Sequence, residues 1–276
     1  MKARKEIKVA VIDMNNGSAN LGMKGILNVL SRYETADKAD LVSETFDLRS
    51  KNEIPGIEYD IYISSGGPGN PLDGKDEPWE KSFSNLLDTI EAHNAIHIAK
   101  KHVFLICYSF QLACRKYKIG KISRRRSGVF GIVPVSLTAD GEQDILYRGL
   151  PNPFYAIDSR EWQVTAPEKK LFPKKEAHVL AMENIIDPTG YDLERCIMSV
   201  RFSKEISGTQ FHPEAAPADI RSYLLAKKNK EAVISTYGEE KYTDILHQLD
   251  NPNGITLTVQ QILPNFITEA LQSIPY

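Results

Sequence analysis

The stretch Val103-Phe104-Leu105-Ile106-Cys107-Tyr108-Ser109-Phe110-Gln111-Leu112-Ala113 decides how this chain is read. Its first four residues are an apolar run, the pattern of a fully buried strand. From Phe110 onward, Leu112, Ala113 and Tyr117 fit a helix. A single cysteine stands between the two, with no loop-length spacer. That arrangement sets Cys107 on a sharp strand-to-helix turn, its side chain pushed out at the end of a sheet. The helix behind it offers free N–H groups and a positive dipole end, which favour an anionic nucleophile. A lone cysteine in an apolar run is ordinarily core packing, so other parts of the chain have to separate the two readings.

Bulk properties narrow the class. The chain has 276 residues, 42% hydrophobic and 25% charged, enough to bury a substantial core. A net charge of −2 gives no reason to expect nucleic acid or an anionic membrane as partner. Three cysteines, Cys107, Cys114 and Cys196, make an odd count without framework spacing, which fits a reducing, cytoplasmic setting. Met1 to Lys8 is charged and lacks the apolar centre of a signal peptide. No uncharged apolar stretch reaches the roughly 18 residues of a membrane span.

Upstream of the cysteine, Ile7 to Ile12 reads as a buried strand, Gly22 to Tyr33 as a helix, Leu41 to Phe46 as a second strand and Tyr59 to Ile63 as a third. Strand, helix and strand in this order imply a parallel sheet. The third strand runs into Ser64-Ser65-Gly66-Gly67-Pro68-Gly69, where three glycines in four residues let the backbone approach something closely. Gly69 to Lys75 nearly matches a phosphate-binding loop, but Asp76 stands where Ser or Thr would hold magnesium. The alternative use is a turn whose exposed N–H groups face a reacting carbonyl. Trp79 to Lys101 reads as one long helix, with Phe83, Leu86, Leu87, Ile90, Ile96 and Ile98 on its apolar face. His93, His97 and His102 lack the Glu and Cys companions of a zinc site and read as a solvated helix face, so no metal is expected. No cofactor motif is present either.

Downstream, Lys121 to Arg126 is a short basic patch, suited to a partner surface or to pairing with acidic side chains. Gly131–Leu137, Phe154–Ile157, His178–Met182, Ile197–Phe202 and Ile206–Gln210 read as strands added in antiparallel fashion at the sheet edge. The last ends in Gly208-Thr209-Gln210-Phe211-His212-Pro213-Glu214. Two-residue spacing lets Glu214 turn back to the imidazole and hold its tautomer, leaving the other ring nitrogen for a nucleophile.

Gly66 to Gly69, Cys107 to Gln111, the Phe130–Val135 strand and Gly208 to Glu214 occur in the order and spacing of class I glutamine amidotransferases. From Lys8 to Leu225 the chain resembles that family, and is similar to the glutaminase domain of GMP synthase. The resemblance implies an α/β fold of flavodoxin-like type, an open, mainly parallel sheet with helices on both faces. It implies Cys107 as nucleophile, His212 as base and Glu214 as its orienter. Gly67 and the Tyr108 N–H become oxyanion donors, with Gly66 and Pro68 of the same loop binding substrate. Gln111 lines the glutamine pocket, and Ser159 holds the substrate's main chain. The implied substrate is glutamine or another γ-glutamyl or acyl donor, with a γ-glutamyl thioester on Cys107 and ammonia released or transferred. Because no synthetase domain follows, a separate synthetase chain is the expected partner. Other expectations on the same fold are a homoserine-type acyltransferase, a γ-glutamyl peptidase or hydrolase, and a non-catalytic binding module. Residues 1–225 form the expected amidotransferase-like domain, and 226–276 a C-terminal helical extension packing on it or on a partner.

The sequence departs from the family pattern beside the cysteine. Leu105 and Ser109 stand two residues before and after it, where glycines are usual. Around Ser159 the run is Ser159-Arg160-Glu161-Trp162 in place of a Ser-His-Gly-Asp-like one. Either small neighbours let the elbow form unchanged, or the helix shifts outward.

Overall fold

The computed structural model describes residues 6–18, 20–35, 40–165, 177–184, 195–251 and 254–274. Strand β1 (Glu6–Asp13) is followed by α1 (Leu21–Thr35), β2 (Asp40–Asp47), the short α2 (Leu48–Lys51) and β3 (Ile61–Ser64). Then come α3 (Pro78–Ile96), β4 (His102–Ile106) and α4 (Tyr108–Lys116). The antiparallel part follows as β5 (Lys121–Leu137), α5 (Ala139–Gln143), β6 (Phe154–Thr165), β7 (His178–Glu183) and β8 (Ile197–Arg201). After β9 (Ile206–Thr209) the chain is helical: α6 (Pro217–Leu225), α7 (Lys227–Tyr237), α8 (Glu239–Leu249) and α9 (Ile255–Ser273).

One nine-stranded sheet runs β2-β1-β3-β4-β9-β8-β7-β5-β6. The first five strands pair in parallel, and the remaining pairings are antiparallel. The sheet is therefore mixed, parallel where the elbow sits. Register fixes its two faces, since successive side chains alternate. Val9 and Val11 of β1 face α1 and α9, whereas Ala10 and Ile12 face α3 and α4. A third cluster joins Ile132 and Ile157 of β5 and β6 to Leu224, Val233, Tyr242 and Ile245 of α6, α7 and α8.

Helix α9 occupies the main core. Ile262, Leu263, Phe266, Ile267 and Ala270 bury against the same face as Phe104 and Ile106 of β4. The Tyr33 hydroxyl donates to the Pro264 carbonyl at 2.5 Å, tying α1 to α9.

Several expected boundaries move. The helix expected over Trp79–Lys101 ends at Ile96. There Asn94 accepts from the Lys101 N–H and donates to the Lys101 carbonyl, each at 2.8 Å, so a side chain takes over the backbone bonding. Ile96 and Ile98, read as part of the apolar face, are exposed. His102 is not on a helix face but buried in β4, at 2.5 Å from Ser273 Oγ of α9. His93 and His97 stack as rings at 4.0 Å. Strand β5 begins at Lys121 rather than Gly131, so the basic patch lies inside it. Two of its charges are met by carboxylates: Arg124 by Glu161 at 3.0 Å and Arg125 by Glu183 at 3.1 Å.

Candidate functional site

Cys107 is the N-cap of α4, with φ +50° and ψ −98°. A non-glycine residue at positive φ is strained by about 1–3 kcal/mol and needs surroundings that hold it. They are visible on both sides. The Cys107 N–H donates to the Thr209 carbonyl at 2.8 Å, and the Gln111 N–H returns to the Cys107 carbonyl at 3.0 Å. The elbow is therefore pinned to β9 before it and to its own helix after it.

The two departures from glycine are absorbed by neighbours. Ser109 is fully buried, and its hydroxyl accepts from the Ile106 N–H at 2.9 Å and lies 3.0 Å from the Ser64 carbonyl. It bridges β3 and β4 where the strands part at the turn. Leu105 pairs in register with Gly208 of β9. A Cβ at Gly208 would sit 3.0 Å from the Leu105 Cβ and 2.6 Å from its carbonyl oxygen. The missing side chain on β9 supplies the room that Leu105 takes on β4. The elbow is closed in this arrangement, with α4 starting directly at Tyr108.

His212 and Glu214 follow β9 and reach the same sheet end. The His212 N–H donates to the Ile157 carbonyl at 2.9 Å, which places the imidazole beside β6. Its Nδ1 lies 2.8 Å from Glu214 Oε1. Burial lowers the imidazole pKa, but the Glu214 carboxylate and then Cys107 outweigh it, and His212 is held well above the usual histidine range. Glu214 is 1% exposed, and its Oε2 has no protein partner among the described residues. The first turn of α1 packs directly on it: a Cβ at Gly22 would lie 2.9 Å from Glu214 Oε1. The positive end of that helix compensates the buried carboxylate.

The remaining expected residues gather around Cys107. Gly66 lies between the Cys107 and His212 side chains, where a Cβ would meet His212 Cε1 at 2.9 Å and Cys107 Cβ at 3.3 Å. Gly67, Pro68, Tyr108, Gln111 and Ser159 line a cavity of about 550 Å³ together with Cys107. The Ser159 carbonyl is 3.9 Å from Cys107 Sγ. Gln111 Nε2 donates to the Trp162 carbonyl at 3.2 Å and to Gln210 Oε1 at 3.0 Å, while Gln210 Nε2 lies 3.6 Å from Cys107 Sγ. Arg160 turns away into the protein, bonding Asp158 at 2.7 Å and Glu183 at 3.4 Å. Among the described residues no group of three or more His, Cys, Asp or Glu side chains is arranged to hold a metal.

Sequence reasoning misses four residues here. Arg49 bonds the carbonyls of Met14 at 3.0 Å and Pro68 at 2.6 Å, and lies 4.6 Å over the Tyr108 ring. Gln210 stands inside the Gly208–Glu214 motif, but its spacing alone gives it no role. Gly22 and Gly25, where a Cβ at the latter would lie 2.3 Å from the Glu214 carbonyl oxygen, carry a usable signal, because glycines inside a helical pattern point to close packing. Arg49 carries none.

A family model described as glutamine amidotransferase class-I matches residues 26–232. The chain belongs to the class I glutamine amidotransferases. Comparison with curated protein sequences gives no significant match. Among solved structures, a glutamine amidotransferase from Thermotoga maritima superposes with a TM-score of 0.66 at 15% identity, covering 96% of this chain and 98% of that one. A protein from Thermoplasma acidophilum described as a putative GMP synthase subunit gives 0.55 at 15% identity, over 96% and 94%. The CTPS glutaminase domain of Trypanosoma brucei, with bound acivicin, gives 0.58 at 12% identity, over 98% and 95%. At these identities the likeness is one of fold, and it makes this amidotransferase an α/β protein of the same architecture. Among the described residues, no helix is long and apolar enough to cross a membrane.

Proposed function

We propose that this amidotransferase forms a γ-glutamyl thioester on Cys107 and releases ammonia or passes it to a separate synthetase subunit. The reading is carried by one observation: the strained elbow cysteine shares a sheet end with an imidazole whose Nδ1 is held by a buried carboxylate at 2.8 Å. Cys107 Sγ attacks the γ-carbonyl, and His212 takes the thiol proton and returns it to the departing amine. Glu214 holds the tautomer that does this. The N–H groups of Gly67 and Tyr108 receive the oxyanion, in the turn and at the helix start where such donors are found. Gly66 and Pro68 shape that loop. Gln111, held by Gln210, and the Ser159 backbone position the glutamyl part. Residues 226–276 act as a C-terminal helical extension that packs on the 1–225 domain, with α9 seated in its core. A synthetase partner is supported by the likeness to a protein described as a GMP synthase subunit. The chemistry needs no cofactor, and a cytoplasmic location fits the three free thiols.

The test is labelling with a glutamine-mimicking diazoketone, read by mass spectrometry. Covalent label at Cys107 that free glutamine blocks is the expected result. An unlabelled Cys107 in folded protein would overturn the reading.

A further inference from the structure

A second cavity, of about 510 Å³, lies against His212 and meets the first at Ser159. Cys107 lines the first cavity, His212 and Glu214 line the second, and Ser159 lines both. The second has apolar walls from five elements: Leu21 of α1, Phe130 of β5, Ile157 of β6, Ile220 of α6 and Ile245 of α8. Lys24, which also lines it, is matched by Asp219 at 2.7 Å. The Glu214 carboxylate is engaged by His212 at 2.8 Å.

Reaction chemistry says what belongs there. When Sγ attacks a γ-glutamyl amide, the acyl group stays on the sulfur. The departing nitrogen takes its proton from the imidazolium, so the leaving group lies on the His212 side. Ammonia needs no apolar room of this size, whereas a volume of several hundred Å³ is that of a small-molecule site.

We propose that this cavity is a leaving-group site for γ-glutamyl amides whose amine carries an apolar substituent. The proposal rests on the thioester reading. The Sγ–C bond forms, the C–N bond breaks, and His212 protonates the amine. Water then enters, gives a proton to His212 and its oxygen to the acyl carbon, and the S–C bond breaks with the proton returned to sulfur. The sum is amide plus water giving glutamate plus amine.

The experiment uses the full chain and L-γ-glutamyl n-alkylamides from methyl to pentyl, which share leaving-group basicity and differ in apolar surface. Turnover is expressed per Cys107 labelled by the diazoketone. The kcat/KM should rise at least tenfold from methyl to pentyl, since each buried methylene favours binding. Ile220→Trp should collapse the pentyl-to-methyl ratio by filling the cavity. Leu21→Trp makes the same test from α1 if the first variant does not fold. A flat or falling series, in protein whose Cys107 labels in a glutamine-blocked way, overturns the site and leaves the thioester reading standing. Neither labelling nor turnover of any amide overturns both.

Discussion

Three buried cysteines in one chain have three different surroundings, and reactivity should follow those surroundings. Burial drives the Cys114 thiol well above its ordinary range and pushes the Cys196 thiol up to about 11. Cys107 lines a cavity beside His212. Iodoacetamide near neutral pH is expected to modify Cys107 first, as read by peptide mass spectrometry, and His212→Ala should slow that reaction. Equal labelling of all three would remove the case for a nucleophile. His212 gives a second residue-scale outcome. Its raised pKa means that the folded state holds a proton the unfolded chain releases earlier. That stabilisation is complete below the unfolded value of about 6.5 and is lost as pH rises through the raised folded value. Glu214→Gln should bring the imidazole titration downward, seen by NMR, and narrow its stability lead at acid over alkaline pH. Turnover should fall by about 10²–10⁴, because the imidazole loses its orienting carboxylate.

Between elements, the contact of β4 with β9 and α4 replaces a glycine on one strand by a glycine on the next. Leu105 is visible in the sequence as a departure from the family pattern; its compensation by Gly208 is not, because the pairing is set by sheet register across a long sequence separation. Gly208→Ala is expected to destabilise the fold by about 1–3 kcal/mol, since a Cβ there meets Leu105 backbone. Ser109→Ala should cost about 1–3 kcal/mol by stripping the Ile106 N–H of its partner. Urea unfolding checks both, and midpoints equal to the parent protein's would refute the bridging role. The same non-locality explains the other shifted boundaries. Arg124 and Arg125 look like a patch because Glu161 and Glu183 lie far along the chain. The end of α3 is hidden because Ile98 continues the apolar spacing, while Asn94 stops the helix by a side-chain bond that no periodicity reveals. What is legible is local: strand-helix alternation, the elbow, and the two-residue spacing of His212 and Glu214.

At the scale of the whole molecule, acid stability should hinge on His102. Burial, with Arg201 and Lys204 nearby, lowers its pKa to about 4. The unfolded chain therefore takes up this proton first as pH falls. Stability is lost between about 6.5 and 4, amounting to roughly 2 kcal/mol by pH 5. His102→Gln should flatten this loss when denaturant unfolding is compared at pH 7 and pH 5. Parallel curves for parent and variant would place the acid sensitivity elsewhere.

The position of α9 also has a consequence for the order of events during synthesis. The helix covers the face of β1 and β4, yet it emerges only after every strand has been made. Until Ile255–Ser273 arrives, Phe104, Ile106 and their neighbours present an uncovered greasy surface on a nearly finished sheet. Such late, long-range closure is slow and leaves an aggregation-prone species in its wake. A nascent chain stalled before α9 should therefore be a client of the cell's holding chaperones, and release of that one helix should free it.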